Sequence, residues 1–304
     1  MSSSASQSGR AGAARKRWQW RPLLATTPMA LTAIGIFVVC VVYSVVLAFT
    51  RTKRFPTFDF VGFDQFGRLW HTSRWLASVE NLLIFGVLFI AICLLVGFLL
   101  AVLMDQKVRM ESAFRTVFLY PYAMSFVVTG LVWQWMLEPS LGIQNEVRSW
   151  GWSSFSFAPL TDPDFAIYGV IIAAAWQSSG LIMALMLAGL RGIDSDIWKA
   201  ARVDGIPTWQ TYLFIVLPMM RPVVVTSVVL LGASVVKVYD LIVAQTGGGP
   251  GISTEVPAKF VIDYITERGN AGQGMAAATM MLLPILLLVG PWVYNEYVRR
   301  GARP

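Results

Sequence analysis

The chain has 304 residues, 56% of them hydrophobic and only 13% charged, with a formal charge of +7. A globular domain carries about 25% charged residues, so this composition excludes a soluble protein, and the apolar residues run in blocks of roughly the 20 that cross a bilayer. The basic balance does not indicate nucleic acid, because no basic run is interleaved with aromatics; it fits basic residues at the inner ends of membrane helices.

Residues 1–22 are rich in Ser, Ala and Gly and then basic (Arg10, Arg15, Lys16, Arg17, Arg21), and read as a disordered cytoplasmic tail. The apolar stretch 23–49 is too long for the core of a signal peptide and reads as the first span. A loop over 50–79 precedes the second span, 80–104. The short basic loop DQKVRMESAFR leads to a third span over 116–137. The next loop holds Gly142, Asn145, Pro159 and Pro163 but one basic residue, Arg148. A fourth span covers 165–190, a polar island follows to Pro222, and the fifth span covers 223–244. After a glycine-rich loop, the sixth span runs over 275–297 and the chain ends with Arg299, Arg300 and Arg303.

The expectation is an all-α membrane protein, with residues 23–304 as one six-helix transmembrane domain. Lipid offers no hydrogen bonds, so each span is expected to be helical. Glycines 86, 97, 130, 180, 189 and 232 are expected to let helices approach closely. With both termini inside, fifteen of the 24 lysines and arginines fall on the inner side and eight on the outer, with Lys237 inside a span. That asymmetry favours this orientation. One outer loop dissents, with Arg51, Lys53, Arg54, Arg68 and Arg74.

Between the fourth and fifth spans, DSDIWKAARVDGIPTWQTYLFIVLPMMRP (194–222) reads as two short helices outside the lipid. Asp194, Ser195 or Asp196 can cap the first, over Ile197–Asp204, by accepting from its free N–H groups. Gly205 supplies a left-handed residue that ends it, and Pro207 blocks continuation. Thr208 can cap the second helix, and Pro218 and Pro222 set the angle of return to the membrane.

Few residues suggest chemistry. The lone His71 argues against a histidine metal site, and Cys40 and Cys93 fall inside apolar segments without a disulfide or metal pattern. No catalytic triad or carboxylate pair stands out, so no enzyme is expected. The run GGGPG at 247–251 lacks the Gly-Lys-Ser/Thr of a phosphate loop and reads as a turn needing positive φ. Lys237 and Asp240 are the unusual charges, because intramembrane charge is costly and faces a bundle interior or a wet cavity. Spaced i, i+3, they either pair with each other or line a path together with Tyr239 and Gln245. Asn81, Trp133, Gln134, Trp135, Trp176, Gln177, Ser178 and Ser179 are further polar or aromatic residues within spans, and any one Trp is equally an interface anchor.

The island carries a family resemblance. Ala200-Ala201, Asp204-Gly205, Ile215 and Leu217-Pro218 together resemble the "EAA" loop of permease subunits in bacterial ATP-binding-cassette importers. The acidic first letter of that pattern is replaced by Lys199. The stretch VWQWML (132–137), Arg115-Thr116 with Tyr120-Pro121, and Tyr239–Ile242 followed by TGGGP are also similar to sugar permeases of this class. TEVPAKFVIDY (254–264) is similar to permeases for α-glucosides, glucosylglycerol or glucose. The resemblance covers nearly the whole chain from about residue 22. It implies a multi-pass inner-membrane subunit of a heterodimeric permease, with an extracytoplasmic sugar-binding protein and two copies of a cytoplasmic ATPase as partners. ATP and magnesium would be bound by those ATPases, and this chain would hold no cofactor. The coupling contact would lie at Lys199, Ala200, Ala201, Asp204, Gly205, Ile215, Leu217 and Pro218. A sugar path needs aromatic faces and amide or hydroxyl partners, as Trp133, Gln134, Trp176 and Gln177 offer. The rival reading is a secondary transporter or channel working without an ATPase.

Overall fold

The computed structural model describes residues 20–106 and 108–284. Among them the regular structure is helical apart from one bridge, Thr50 to Phe60. Up to Val46 the chain forms one unit, and from Leu47 onward a second. The first unit contains most of helix α1 (Trp20–Ala48), whose apolar side chains from Ile34 to Val46 are largely exposed, as a helix in lipid requires.

The second unit opens with a hairpin and a short helix α2 (Asp64–Trp70), then α3 (Ser73–Asp105). The α3 helix starts seven residues before the expected span at 80. Its partner is α7 (Ala166–Arg191), which agrees with the expected fourth span to one residue at each end. The two pack along their length in one apolar cluster, with Cys93 beside the Ala175 carbonyl and Gly97 against Ile182 and Met183. Close approach on the other side of α7 depends on Gly180, where a Cβ would lie 1.8 Å from the Phe118 carbonyl oxygen. Gly232, by contrast, faces open space.

The expected third span is not one helix. It is α4 (Glu111–Leu119), a 3-10 turn over Tyr120–Ala123 and α5 (Phe126–Met136), bent by 99°. Pro121 stands at the start of that turn, where its ring and missing N–H interrupt the α-helical ladder. Ser125 then caps α5 by accepting from the Val128 N–H at 3.3 Å. A surface helix α6 (Ile143–Ser149) lies in the next loop.

After α7 come α8 (Ser195–Val203), α9 (Thr208–Gln210), a π-helical turn over Thr211–Val216 and α10 (Leu217–Met219). This helical segment from Thr208 to Met219 bends by 74° into α11 (Arg221–Val236), with Pro222 in its first turn. The expected fifth span is also broken, because α11 ends at Val236 and α12 (Tyr239–Gln245) resumes two residues later. Lys237 and Val238 bond to carbonyls three residues back, a tighter turn than the α-helix.

Helix α13 (Pro257–Thr266) and the helical residues 271–284 (α14) complete the described chain. The sixth span expected at 275–297 therefore begins as a helix, and its part from 285 lies outside the described residues. So does nearly all of the basic tail expected at 1–22. Among the described residues, three helices are long and apolar enough to cross a membrane, and up to five if each bent pair is one span.

Candidate functional site

The island between α7 and α11 takes its shape from a few residues. Asp194 is the N-cap of α8, its carboxylate accepting from the Asp196 N–H at 2.9 Å. At the other end, Gly205 adopts φ +69°. Its N–H reaches the Arg202 carbonyl at 3.2 Å, and the Ile206 N–H reaches the Ala201 carbonyl at 2.9 Å. These two bonds define a Schellman stop, with Gly205 at the left-handed position and Ala201 at the third residue from the helix end. The spacing of Ala201 to Gly205 is thus a geometric requirement. Ala201 is buried, while Ala200, Asp204 and Gly205 are exposed. Thr208 does not cap the second helix. Pro207 occupies the cap position, and Thr208 already stands in the first turn, so no side chain accepts from the free N–H groups.

Pro218 cannot donate to a carbonyl of the preceding turn, and the chain enters it through the π turn. Ile215 and Leu217 are half-buried and Pro218 exposed. Val203, Trp209 and Phe214 project outward, 86%, 59% and 69% exposed, with the last two rings 6.3 Å apart. Lys199 is exposed as well and pairs with Asp196 at 2.8 Å.

The island is fastened to the bundle at one polar node. Trp198 meets Tyr212 edge-on at 4.9 Å, and the Tyr212 hydroxyl donates to Asp105 Oδ2 at the end of α3 at 3.3 Å. Arg191, ending α7, bonds Glu111 at the start of α4 at 2.8 Å and lies 4.0 Å from Asp105. Four segments therefore converge on Asp105 and Arg191.

Within the bundle, the residues named for a path separate into two groups. Gln177 is buried and donates to the Met124 carbonyl at 2.7 Å, a carbonyl freed by the break before α5. Gln245 is buried and donates to the Gly169 carbonyl at 3.2 Å. The Gln177 amide meets the need of broken backbone in lipid for a side-chain partner, while Gln245 ties α12 to the continuous helix α7. Trp133 and Trp176 pack edge-on at 5.9 Å, and Gln134 is exposed.

Lys237 and Asp240 do not form the pair that i, i+3 spacing suggests. The helix is interrupted between them, both are exposed, and no ion pair joins them. Lys237 instead borders a cavity of about 190 Å³ with Tyr122, Ser178 and Ser234 above Leu181, Leu230, Leu231 and Ala233. Ser178 is at the midpoint of α7, so the cavity lies at mid-depth, where two helix breaks meet. Tyr239 is half-buried beyond the break. A larger hollow of about 400 Å³ at Gly151–Phe155 lies within a single loop and has no charged side chain in its lining.

A second polar site escapes sequence reading. Arg74, in the first turn of α3, bonds Glu255 at 2.5 Å and also Asp263 on α13, and Lys259 bonds Asp263 at 2.6 Å. Asn81 donates to the Ile252 and Glu255 carbonyls at 3.1 and 2.9 Å. The glycine-rich loop between α12 and α13 is thereby clamped onto α3, with Gly247, Gly248 and Gly251 at positive φ as expected. Burial pushes the Glu255 carboxyl above the usual glutamate value, against the pull of Arg74 and Lys259. The partners are remote in sequence, and the one available signal is that Glu255 precedes and Asp263 lies within a proline-initiated amphipathic helix.

Bent and continuous membrane helices, a polar cavity at their breaks and a rigid helix–turn–helix projecting from one end define a membrane permease. The family described as the binding-protein-dependent transport system inner membrane component matches residues 93–300, and the chain belongs to it. It is 39% identical over 271 residues to a probable ABC transporter permease protein of Pyrococcus horikoshii, covering 88% of this chain and 93% of that one. Over 265 residues it is 33% identical to the xylose/arabinose import permease protein XacH of Haloferax volcanii, covering 85% and 82%. A solved bacterial ABC transporter involved in import of the acidic polysaccharide alginate matches with a TM-score of 0.75 at 20% identity, over 94% of this chain and 96% of that one. At that identity the likeness is one of fold.

Proposed function

We propose that this chain is one of two homologous permease subunits of an ATP-driven carbohydrate importer of the inner membrane, with both termini cytoplasmic. Two copies of a cytoplasmic ATPase would bind ATP and magnesium, and an extracytoplasmic binding protein would deliver the sugar. The observation that carries this reading is the island: two short helices, fixed by a Schellman stop, presenting Val203, Trp209 and Phe214 to solvent. Exposed aromatics on a rigid cytoplasmic projection suit docking into a groove on another subunit.

This chain's own residues supply the transmission. A displacement of α8 passes through Trp198 to Tyr212 and on to Asp105, which lies 4.0 Å from Arg191; Arg191 in turn holds Glu111. Glu111 begins α4, which leads directly into the turn bearing Tyr122 on the cavity wall. Movement at the cytoplasmic node therefore alters the cavity without a long flexible link. There, Lys237, Ser178, Ser234 and Tyr122 offer hydrogen bonds to hydroxyl groups over an apolar floor, the chemistry a sugar ring requires. Trp133, Trp176, Tyr239 and Asp240 would border the same path, while Gln177 and Gln245 would hold its walls.

The test is mild-detergent affinity purification of the chain from its native host, with the stoichiometry of what accompanies it. One homologous permease and two copies of an ATPase are expected. A lone chain or homodimer without ATPase in several detergents would overturn the coupling reading and favour a secondary transporter.

A further inference from the structure

Five basic residues between Arg51 and Arg74, in the loop before α3 and its first turn, oppose the charge asymmetry of the chain, and the structure divides them. Arg68 pairs with Asp64 at 2.9 Å, and Arg74 is neutralised by Glu255 and Asp263. Arg51, Lys53 and Arg54 are exposed, and among the described residues no carboxylate pairs with them. These three share a short hairpin with Phe55, Phe58 and Phe60, which are 79%, 69% and 75% exposed.

The hairpin is firmly built. Thr50 bridges Phe60, the Arg51 N–H reaches the Asp59 carbonyl at 2.9 Å, and the Thr52 hydroxyl bonds the Thr57 carbonyl at 2.8 Å. Its base is pinned from outside by Gln65 on the Thr50 carbonyl at 3.0 Å and by the Gly272 N–H on the Thr52 carbonyl at 2.7 Å. Exposed phenylalanines on a fixed base are costly in water, at about 25 cal/mol for each Å² of apolar surface.

We propose that this hairpin is an anionic-lipid anchor, seating its phenylalanines in the bilayer interface and its cations on phospholipid phosphates. Charge selects the occupant: three unpaired cations against one acid, Asp59, complement an anionic headgroup surface. Position allows it. The chain leaves a membrane helix at Ala48 and begins the next at Ser73. Arms of about five residues extend no more than about 17 Å, so the tip stays within reach of the headgroups. The mixture of cation and aromatic ring is that of residues which settle at membrane interfaces. The inference is independent of the transported solute.

The experiment uses the intact transporter with Arg51→Gln/Lys53→Gln/Arg54→Gln, exchanged into bilayers of phosphatidylcholine alone or mixed with phosphatidylglycerol. Retained lipid is read by native mass spectrometry, and ATP-driven uptake in both bilayers. The wild type should retain phosphatidylglycerol selectively, and each lost cation should lower that preference roughly fivefold. In a second variant, Phe58→Trp with all cations kept, added fluorescence should be quenched by brominated lipid. Equal phosphatidylglycerol retention by wild type and triple variant would overturn the proposal. So would loss of binding-protein stimulation by the triple variant equally in both bilayers, because the surface would then belong to a protein partner.

Discussion

The loop between α12 and α13 and the island between α7 and α11 both connect helices at the ends of the bundle, and they treat their side chains in opposite ways. In the first, the Glu255 and Asp263 side chains are 2% and 7% exposed and bonded by Arg74 and Lys259, while Asn81 holds the Glu255 carbonyl. In the second, Val203, Trp209 and Phe214 face solvent and an ion pair, Lys199 with Asp196, is on the surface. A buried charge needs its partner within the same chain, because desolvation costs several kcal/mol per ion. Exposed aromatics need a partner from another. The α12–α13 end is thus stabilised from within, and the island end is shaped for an encounter.

Breaking the Arg74 clamp should have the largest effect. Arg74→Met leaves two buried carboxylates facing each other and should cost about 3–5 kcal/mol, read as a lower thermal midpoint of the purified complex. Adding Glu255→Gln and Asp263→Asn should recover much of it. The clamp also has a pH signature. Glu255 is held above the ordinary glutamate value by burial, so its titration contributes stability present below that ordinary value and lost as pH rises through the raised one. Glu255→Gln should remove this component from a plot of thermal midpoint against pH. An unchanged plot would mean that Arg74 fully offsets burial.

The island should respond in function before stability. Gly205→Val places a β-branched residue at φ +69°, although its Cβ would meet nothing within 4 Å. The cost is purely backbone, about 1–2 kcal/mol, and falls on the Schellman stop. Uptake and substrate stimulation of ATPase activity should be lost while the complex still assembles. Unchanged uptake and unchanged stimulation would sink the coupling role. Tyr212→Phe removes only the bond to Asp105, about 1 kcal/mol, and should lower uptake per ATP hydrolysed several-fold with the island intact.

The two ends also differ in how readable they are. Local rules suffice for the island: Asp194 caps, Gly205 takes positive φ, and both follow from residues within one or two turns. The limits of α7 follow from hydropathy alone. The clamp joins Arg74 to residues some 180 positions away, and each member taken singly is an ordinary loop charge. The breaks at Tyr120–Ser125 and Lys237–Val238 carry only single local marks, Pro121 and the charge of Lys237, inside otherwise apolar stretches, and the hydrogen-bond ladder alone locates them. That is why Lys237 and Asp240 look paired on a helical projection and are not. Gln177 looks like a path residue for a similar reason, since an amide in a span fits a ligand or a freed carbonyl equally well until the break is located.

The smallest expected effect sharpens the contrast most. Lys199 replaces the acidic residue that begins the family's loop pattern, and it is exposed, salt-bridged to Asp196 at i, i+3. Such a surface pair is worth about 0.3–0.5 kcal/mol, and Lys199→Glu turns it into a repulsion of similar size. Helix α8 survives either change, because its ends are held by Asp194 and Gly205. Any larger consequence must come from the surface that α8 meets. If that surface is acidic to match Lys199, Lys199→Glu should weaken ATPase association a few-fold, more at low salt than at high, while Lys199→Met should be nearly neutral. Measuring ATPase affinity against salt for the three forms checks this. Identical salt dependence would show that α8 docks through its apolar residues alone, with position 199 outside the contact.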